Sequence, residues 1–123
     1  ASIAQGKTEI LELGNLDIER DWGYAPDYVL GMWMMLQQEQ ADDYILATGK
    51  THKLSDFLQL SFEYFGLDHQ KHIRINPKFV RPNEPVHLCG DSSKAQNILG
   101  WKPSVGFEQI IKSIRLLQPP PPQ

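Results

Sequence analysis

At 123 residues the chain fits one domain, long enough to bury about two thirds of its unfolded surface. A net charge of −3 with 22% charged residues gives no basic field, which argues against nucleic acid and anionic membrane surfaces as partners. No apolar run nears the roughly 18 residues of a bilayer span, no signal-like N-terminus is present, and the lone Cys89 has no cysteine partner, so the sequence reads as soluble, cytoplasmic and suited to a reducing compartment.

Ala1 to Gln5 have the pattern of a final helical turn closed by Gly6, where glycine tolerates the left-handed conformation. Ile10, Leu11 and Leu13 then predict a short strand ending at the turn-prone Gly14-Asn15. From Pro26 or Asp27 the pattern turns helical, with Tyr28, Val29, Met32, Trp33, Met35 and Leu36 recurring at intervals of three and four. Pro26 suits a first helical position and Asp27 the positive end of the helix dipole. Met32 to Met35 can be read as a cofactor-facing box, but at helical spacing the expected reading is core.

Asp42-Asp43 break that helix, and Tyr44 to Thr48 form a continuous apolar run ending at Gly49, the pattern of a strand buried on both faces. The next helix is expected to bury Leu54, Phe57, Leu58, Ser61, Phe62 and Phe65 and to stop at Gly66, with Thr51 or Ser55 as candidate caps. His69 and His72 are three apart and can share a helix face, but no third ligand type stands near and a strand-like Ile73-Arg74-Ile75 begins beside them, so metal binding is not the expected role.

Residues 79–85 hold too many prolines for regular structure, and those prolines fix the directions of Arg81 and Glu84. Nothing around Cys89 marks it as a low-pKa nucleophile. Asp91 is expected to cap a short helix with Ala95, Ile98 and Leu99 inward and Gly100 at its end. Trp101-Lys102-Pro103 then lead into a last helix from about Gly106 to Leu117, burying Phe107, Ile110, Ile111, Ile114 and Leu117. The expected division is one mixed α/β domain over residues 1–118 and a proline-rich, extended tail over 119–123.

One stretch carries a candidate for binding chemistry: Arg20-Asp21-Trp22-Gly23-Tyr24-Ala25-Pro26-Asp27-Tyr28, between the first strand and the first helix. An arginine before a helix, flanked by aromatics that hold it, suits a phosphate group because its planar fork donates two parallel hydrogen bonds. The alternative is that Arg20 and Asp21 are solvated charges and the aromatics ordinary core.

The sequence from Leu13 to Gly49, with LGNLDIERDWGYAPDYV and MWMMLQQEQADDYILATG, resembles the C-terminal part of the GDP-mannose 4,6-dehydratases, which are extended short-chain dehydrogenase/reductases. Phe79-Val80-Arg81-Pro82-Asn83-Glu84 is similar to that family's F-R-P-x-E segment. Gly90-Asp91-Ser92-Ser93-Lys94-Ala95 through Leu99-Gly100-Trp101-Lys102-Pro103 is similar to its G-D-x-[ST]-K-A and L-G-W-K-P run. The resemblance covers roughly residues 1–117 and implies the sugar-nucleotide-binding portion of that fold without its N-terminal Rossmann half.

By that resemblance, Arg20 and Arg81 stand where the family places arginines on the sugar-nucleotide diphosphate, and Glu84 where it places a carboxylate on the ribose hydroxyls. The family's NADP loop and its Tyr-x-x-x-Lys pair do not occur within these 123 residues: none of Tyr24, Tyr28, Tyr44 or Tyr64 has a lysine four positions on. The implied chain therefore carries no catalytic residue or cofactor site of its own and is inactive alone. Three readings follow. It is a GDP-mannose-binding region that works with a nucleotide-binding half supplied elsewhere, a stand-alone relic that binds or interacts without catalysis, or a structural assembly protein. In each, the surface left by the missing half favours a homodimer or a partner chain.

Overall fold

A computed structural model describes residues 2–116. The expectations for Ala1, for Leu117 and for the tail over 119–123 lie outside the described residues. In chain order the elements are β1 (Leu11–Leu13), β2 (Glu19–Arg20), α1 (Ala25–Leu36), β3 (His52–Lys53), α2 (Leu54–Tyr64), α3 (His69–His72), β4 (Ile73–Ile75), a 3-10 turn (Pro77–Phe79), β5 (His87–Leu88), α4 (Ser93–Leu99) and α5 (Phe107–Leu116). Residues 2–6 form turns rather than a helix, with Gly6 left-handed at their end as expected.

The strands make two small sheets. β1 pairs in parallel with β4, Leu11 opposite Ile73, and Asn76 extends the ladder by donating its amide to the Leu13 carbonyl at 2.7 Å. β2 is the middle of the second sheet, antiparallel to β3 and parallel to β5. That sheet gathers chain from three distant places and sets Glu19 opposite His87 and Arg20 opposite Leu88.

The core forms where α2 packs on α5 and α1 on α4. Leu58 and Phe62 of α2, Ile110 and Ile111 of α5, Ala47, Ala95 and Trp101 are buried. Aromatic rings join them: Trp22 stacks on Phe57 at 4.8 Å between centroids, and Phe107 of α5 lies flat on His52 at 3.8 Å. The stacked Trp22 has a buried indole N–H with no acceptor among the described residues, a local cost of about 1–3 kcal/mol.

Trp101 is the pivot of the other side. It is only 1% exposed, its indole N–H donates to the Asp27 carbonyl at 2.7 Å, and the Asp27 carboxylate accepts from the amide (2.9 Å) and hydroxyl (2.6 Å) of Ser104. Asp27 does stand in the first turn of α1, as its dipole predicts. It is also buried, and its side chain ties α1 to the loop before α5.

Four expectations are corrected. Tyr44 to Thr48 is not a strand, because no other strand among the described residues lies alongside to complete its ladder. Its end is instead pinned by Asp21, which accepts from the Thr48 amide (2.9 Å), the Thr48 hydroxyl (2.5 Å) and the Gly49 amide (2.9 Å). Ala47 inside this run abuts Gly90 so closely that a Cβ there would lie 2.3 Å from its own. Second, the α1 stripe is not core: Val29, Met32, Trp33 and Leu36 are 64%, 57%, 58% and 81% exposed.

Third, Ile98 and Ile114 are exposed although Ala95, Ile110 and Ile111 of the same stripes are buried. Fourth, α2 has no side-chain cap from Thr51 or Ser55. Its first amides, from Leu54 and Ser55, donate to the carbonyls of Ile18 and Leu16, so the segment beside β2 does the capping. At α4 the N-cap position is Ser92, and Asp91 from one residue earlier accepts the Ser93 amide at 2.9 Å; Gly100 ends the helix in the left-handed conformation. His72 Nδ1 lies 2.8 Å from the Glu9 carbonyl, and no cluster of three metal-ligating side chains occurs among the described residues. No described helix is long and apolar enough to cross a membrane.

Candidate functional site

Arg20 ends β2, and the parallel pairing of β2 with β5 fixes what comes next to it. The Glu19 amide donates to the Val86 carbonyl at 2.6 Å, drawing the segment 84–86 against the strand. Arg20 Nη1 donates to the carbonyls of Glu19 (2.7 Å) and Pro85 (2.9 Å), while Nη2 reaches Glu84 Oε1 at 3.1 Å. The two side chains of this ion pair are 23% and 22% exposed. Residues 64 positions apart are thereby joined.

Arg81 lies elsewhere in the same loop. It is exposed, and it has no hydrogen-bond or ion-pair partner among the described residues. Between it and Glu84 stand Pro82 and Asn83, the latter with φ of 62°. A proline followed by a left-handed asparagine makes a tight reversal, and asparagine tolerates that conformation better than most residues. The structure therefore brings together Arg20 and Glu84 and leaves Arg81 in solvent.

Beside Arg20 opens a shallow cleft of about 300 Å³, whose walls include Asp21, Tyr28, Leu46, Leu88 and Cys89. The Tyr28 ring stacks on Trp101, and a Cβ on Gly23 would fall 1.6 Å from the Tyr28 hydroxyl, so any side chain there would have to displace the Tyr28 ring. Burial, helped by the negative charges of Asp21 and Asp27, pushes the Tyr28 phenol above its ordinary value of 10.0 and keeps it a neutral hydrogen-bond donor. Cys89 Sγ lies 4.0 Å from Asp21 Oδ2.

Behind the cleft, Glu19 binds the three strands together. One of its oxygens accepts from the Thr51 hydroxyl at 3.0 Å and lies 2.9 Å from His87 Nδ1. The His87 contact foremost, then that of Thr51, holds the Glu19 carboxyl below its ordinary 4.5. The sequence singles out Arg20, Arg81 and Glu84 and places Asp21 and Tyr28 in the same stretch as Arg20, but gives no sign of Glu19. Tyr28 is placed by its position on α1 and its stacking on Trp101, whereas Glu19 depends on strand pairing that no local pattern announces.

Among the described elements β1 leads past Gly14 to another strand, β2 past Gly23 to α1, whose N-cap position is Tyr24, and β5 past Gly90 to α4, each turn holding a single glycine.

The fold matches known architectures. A structure of RMD from Pseudomonas aeruginosa complexed with NADPH superposes with a TM-score of 0.80, at 22% identity over 92% of this chain and 37% of that one. UDP-glucose 4-epimerase from Bifidobacterium longum, in complex with NAD+ and UDP, gives 0.75 at 20% identity, over 91% of this chain and 35% of that one. The chain thus has the mixed α/β fold of part of an extended short-chain dehydrogenase/reductase, as the sequence implied.

Its family follows from closer relatives. The sequence model described as GDP-mannose 4,6 dehydratase matches residues 1–114. GDP-mannose 4,6 dehydratase 1 of Arabidopsis thaliana is 52% identical over 83% of this chain and 28% of its own length, and GDP-mannose 4,6 dehydratase of Drosophila melanogaster is 41% identical over 93% and 33%. The chain belongs to the GDP-mannose 4,6-dehydratase family and spans about a third or less of the length of these relatives.

Proposed function

We propose that this chain is the C-terminal sugar-nucleotide-binding part of a GDP-mannose 4,6-dehydratase, a single α/β unit over residues 1–118. Arg20 and Arg81 hold the diphosphate and Glu84 accepts from the ribose hydroxyls. The observation that carries the reading is the Arg20–Glu84 contact at 3.1 Å, which puts an anion donor and a hydroxyl acceptor side by side. Dehydration needs the NADP-binding half and the tyrosine base to be supplied by other residues than these 123. The cytoplasm, where nucleotide sugars and a free thiol both persist, is the proposed location.

Calorimetry with GDP-mannose tests this. Wild type is expected to bind, and Arg20→Ala and Arg81→Ala each to lose roughly 1.5–3 kcal/mol. If wild type binds and neither variant loses affinity, the assigned phosphate roles are wrong. Turnover of GDP-mannose by the purified chain with NADP would overturn the incomplete-site account.

The exposed face of α1 supports a second proposal, that the isolated chain pairs with a second copy there, on the surface a nucleotide-binding half would otherwise cover. Burying about 500 Å² per subunit offers roughly 12 kcal/mol gross, comparable to the cost of association. Light scattering at micromolar concentration decides it: a monodisperse monomer removes the proposal, and loss of association in Trp33→Ser supports it.

A further inference from the structure

No hydrogen bond reaches the backbone of residues 44–47 from any other described residue, although Ala47 is 6% exposed and Tyr44 and Leu46 are half-buried. Backbone groups so far withdrawn from water are nearly always paired in folded proteins. The side chains of the run alternate as those of an extended chain do. A Cβ on Gly31 of α1 would come within 2.6 Å of Leu46, while one on Gly90 would fall 2.3 Å from Ala47 and 3.5 Å from Ile45. The Thr48 amide points to Asp21. Successive amides of an extended chain point to opposite edges, so Tyr44, Leu46 and Thr48 present theirs to the Asp21 edge. Ile45 and Ala47 present theirs to the other edge, where no described strand lies.

We infer that this second edge is a self-recognition surface: residues 44–48 of two copies of this chain pair antiparallel about a two-fold axis through Leu46, which turns the run into a strand. Charge selects that geometry. Asp42 and Asp43 stand before the run and Lys50 after it, and Lys50 has no ion-pair partner among the described residues. Antiparallel pairing centred on Leu46 sets Asp42 opposite the partner's Lys50 at both ends of the ladder. Parallel pairing in register would instead set acid on acid at one end and Lys50 on Lys50 at the other, which opposes association. The antiparallel register also makes Ile45 and the partner's Ala47 a hydrogen-bonded pair on either side of the axis, and these are the residues whose amides face that edge. It places Ile45, 59% exposed, beside a small side chain on the same face.

This surface is distinct from the outer face of α1. Gly31 is the α1 residue that meets Leu46, and Val29 and Trp33, each two positions from it, lie about 200° round the helix and face away from the run. The pairing is also independent of the sugar-nucleotide reading, since it holds whether or not Arg20 binds a phosphate.

The test is cysteine cross-linking of the 123-residue chain in a Cys89→Ser background, which removes its single natural cysteine, with circular dichroism to check each fold and light scattering to read association. Leu46→Cys sets two thiols across a non-hydrogen-bonded antiparallel pair, whose Cα separation of about 4.5 Å suits a disulfide. Mild oxidation is expected to give a covalent dimer. Lys50→Glu is expected to weaken the dimer about tenfold, because two symmetric attractions become repulsions. A chain that dimerises and cross-links through Trp33→Cys but not through Leu46→Cys overturns the strand pairing and leaves the α1 proposal standing. A dimer that Lys50→Glu leaves unchanged or tightens overturns the antiparallel register and the inference with it. A monodisperse monomer at micromolar concentration with no cross-link overturns both surfaces. Should Leu46→Cys fail to fold, hydrogen exchange of wild type decides: the Ile45 and Ala47 amides are expected to gain about tenfold protection or more as the chain dimerises, and unchanged exchange overturns the pairing.

Discussion

Helices α1 and α5 both carry apolar residues at helical spacing, α1 almost all round and α5 on one face, and they meet different fates. In α5 Ile110 and Ile111 are buried against α2, and Phe107 is flattened on His52. In α1 Asp27 and Gly31 are buried, the Tyr28 ring stacks on Trp101 and Met34 and Met35 are half-buried, while Val29, Met32, Trp33 and Leu36 are exposed. Periodicity states that a face is apolar, not that this chain supplies its cover. α1 is attached through its polar start and a glycine contact, where a Cβ on Gly31 would come within 2.6 Å of Leu46. Its large side chains remain on offer to something else.

The largest effect expected from this contrast lies in two tryptophans. Trp101→Ala removes a ring that is 1% exposed, and the expected loss is about 3–5 kcal/mol, enough to unfold a marginal domain. Trp33→Ala removes one that is 58% exposed, and urea midpoints are expected to stay within about 0.5 kcal/mol of wild type at concentrations where the chain is monomeric. Equal losses from the two would break the comparison and mean that the outer face of α1 is packed after all.

A sharper test takes the attachment itself. Asp27→Ala leaves the Ser104 amide and hydroxyl without their acceptors, at an expected cost of about 1.5–3 kcal/mol, while Asp27→Asn keeps an oxygen for the amide and costs less. Thermal melts of both variants check the order. A neutral Asp27→Ala would show that α1 is held by its apolar contacts rather than by this knot.

The smallest effect belongs to the exposed polar cluster on β2. Glu19 is held below its ordinary 4.5, chiefly by His87 and then by Thr51, so the folded chain binds its proton less readily than the unfolded one. Its contribution is therefore whole above the ordinary value and is lost as pH falls through the depressed one. Denaturation midpoints for wild type and Glu19→Gln should converge at acid pH, separate as pH rises toward 4.5 and keep their full gap above it. A constant gap between the two curves would contradict the pairing.

Much of the fold was legible. α1 begins one residue before Pro26, α2 stops just short of Gly66, β1 (Leu11–Leu13) takes up all but Ile10 of the expected strand, β4 lies on the expected Ile73–Ile75, and Gly100 closes α4. Each of these depends on side chains within a turn or two of one another, which is the range that periodicity and capping report. The run 44–48 misled because continuous apolar character fits any buried extended chain, and only a neighbouring strand makes it a β-strand. The caps of α2 misled for the same reason, since the acceptors are backbone carbonyls some 36 or more residues away, at Leu16 and Ile18.

By itself the sequence determined the family, through ordered motifs that survive translation into any coordinates, and with it the identity of Arg20, Arg81 and Glu84 as residues to watch. Tertiary structure alone decided that Arg20 meets Glu84 and not Arg81, because that outcome depends on parallel pairing of two-residue strands and on one left-handed asparagine between them. It also decided which apolar stripe became core. Local patterns encode what a segment can bury, whereas the pairing of distant segments is settled only when loop closure, hydrogen-bond satisfaction and packing are met together.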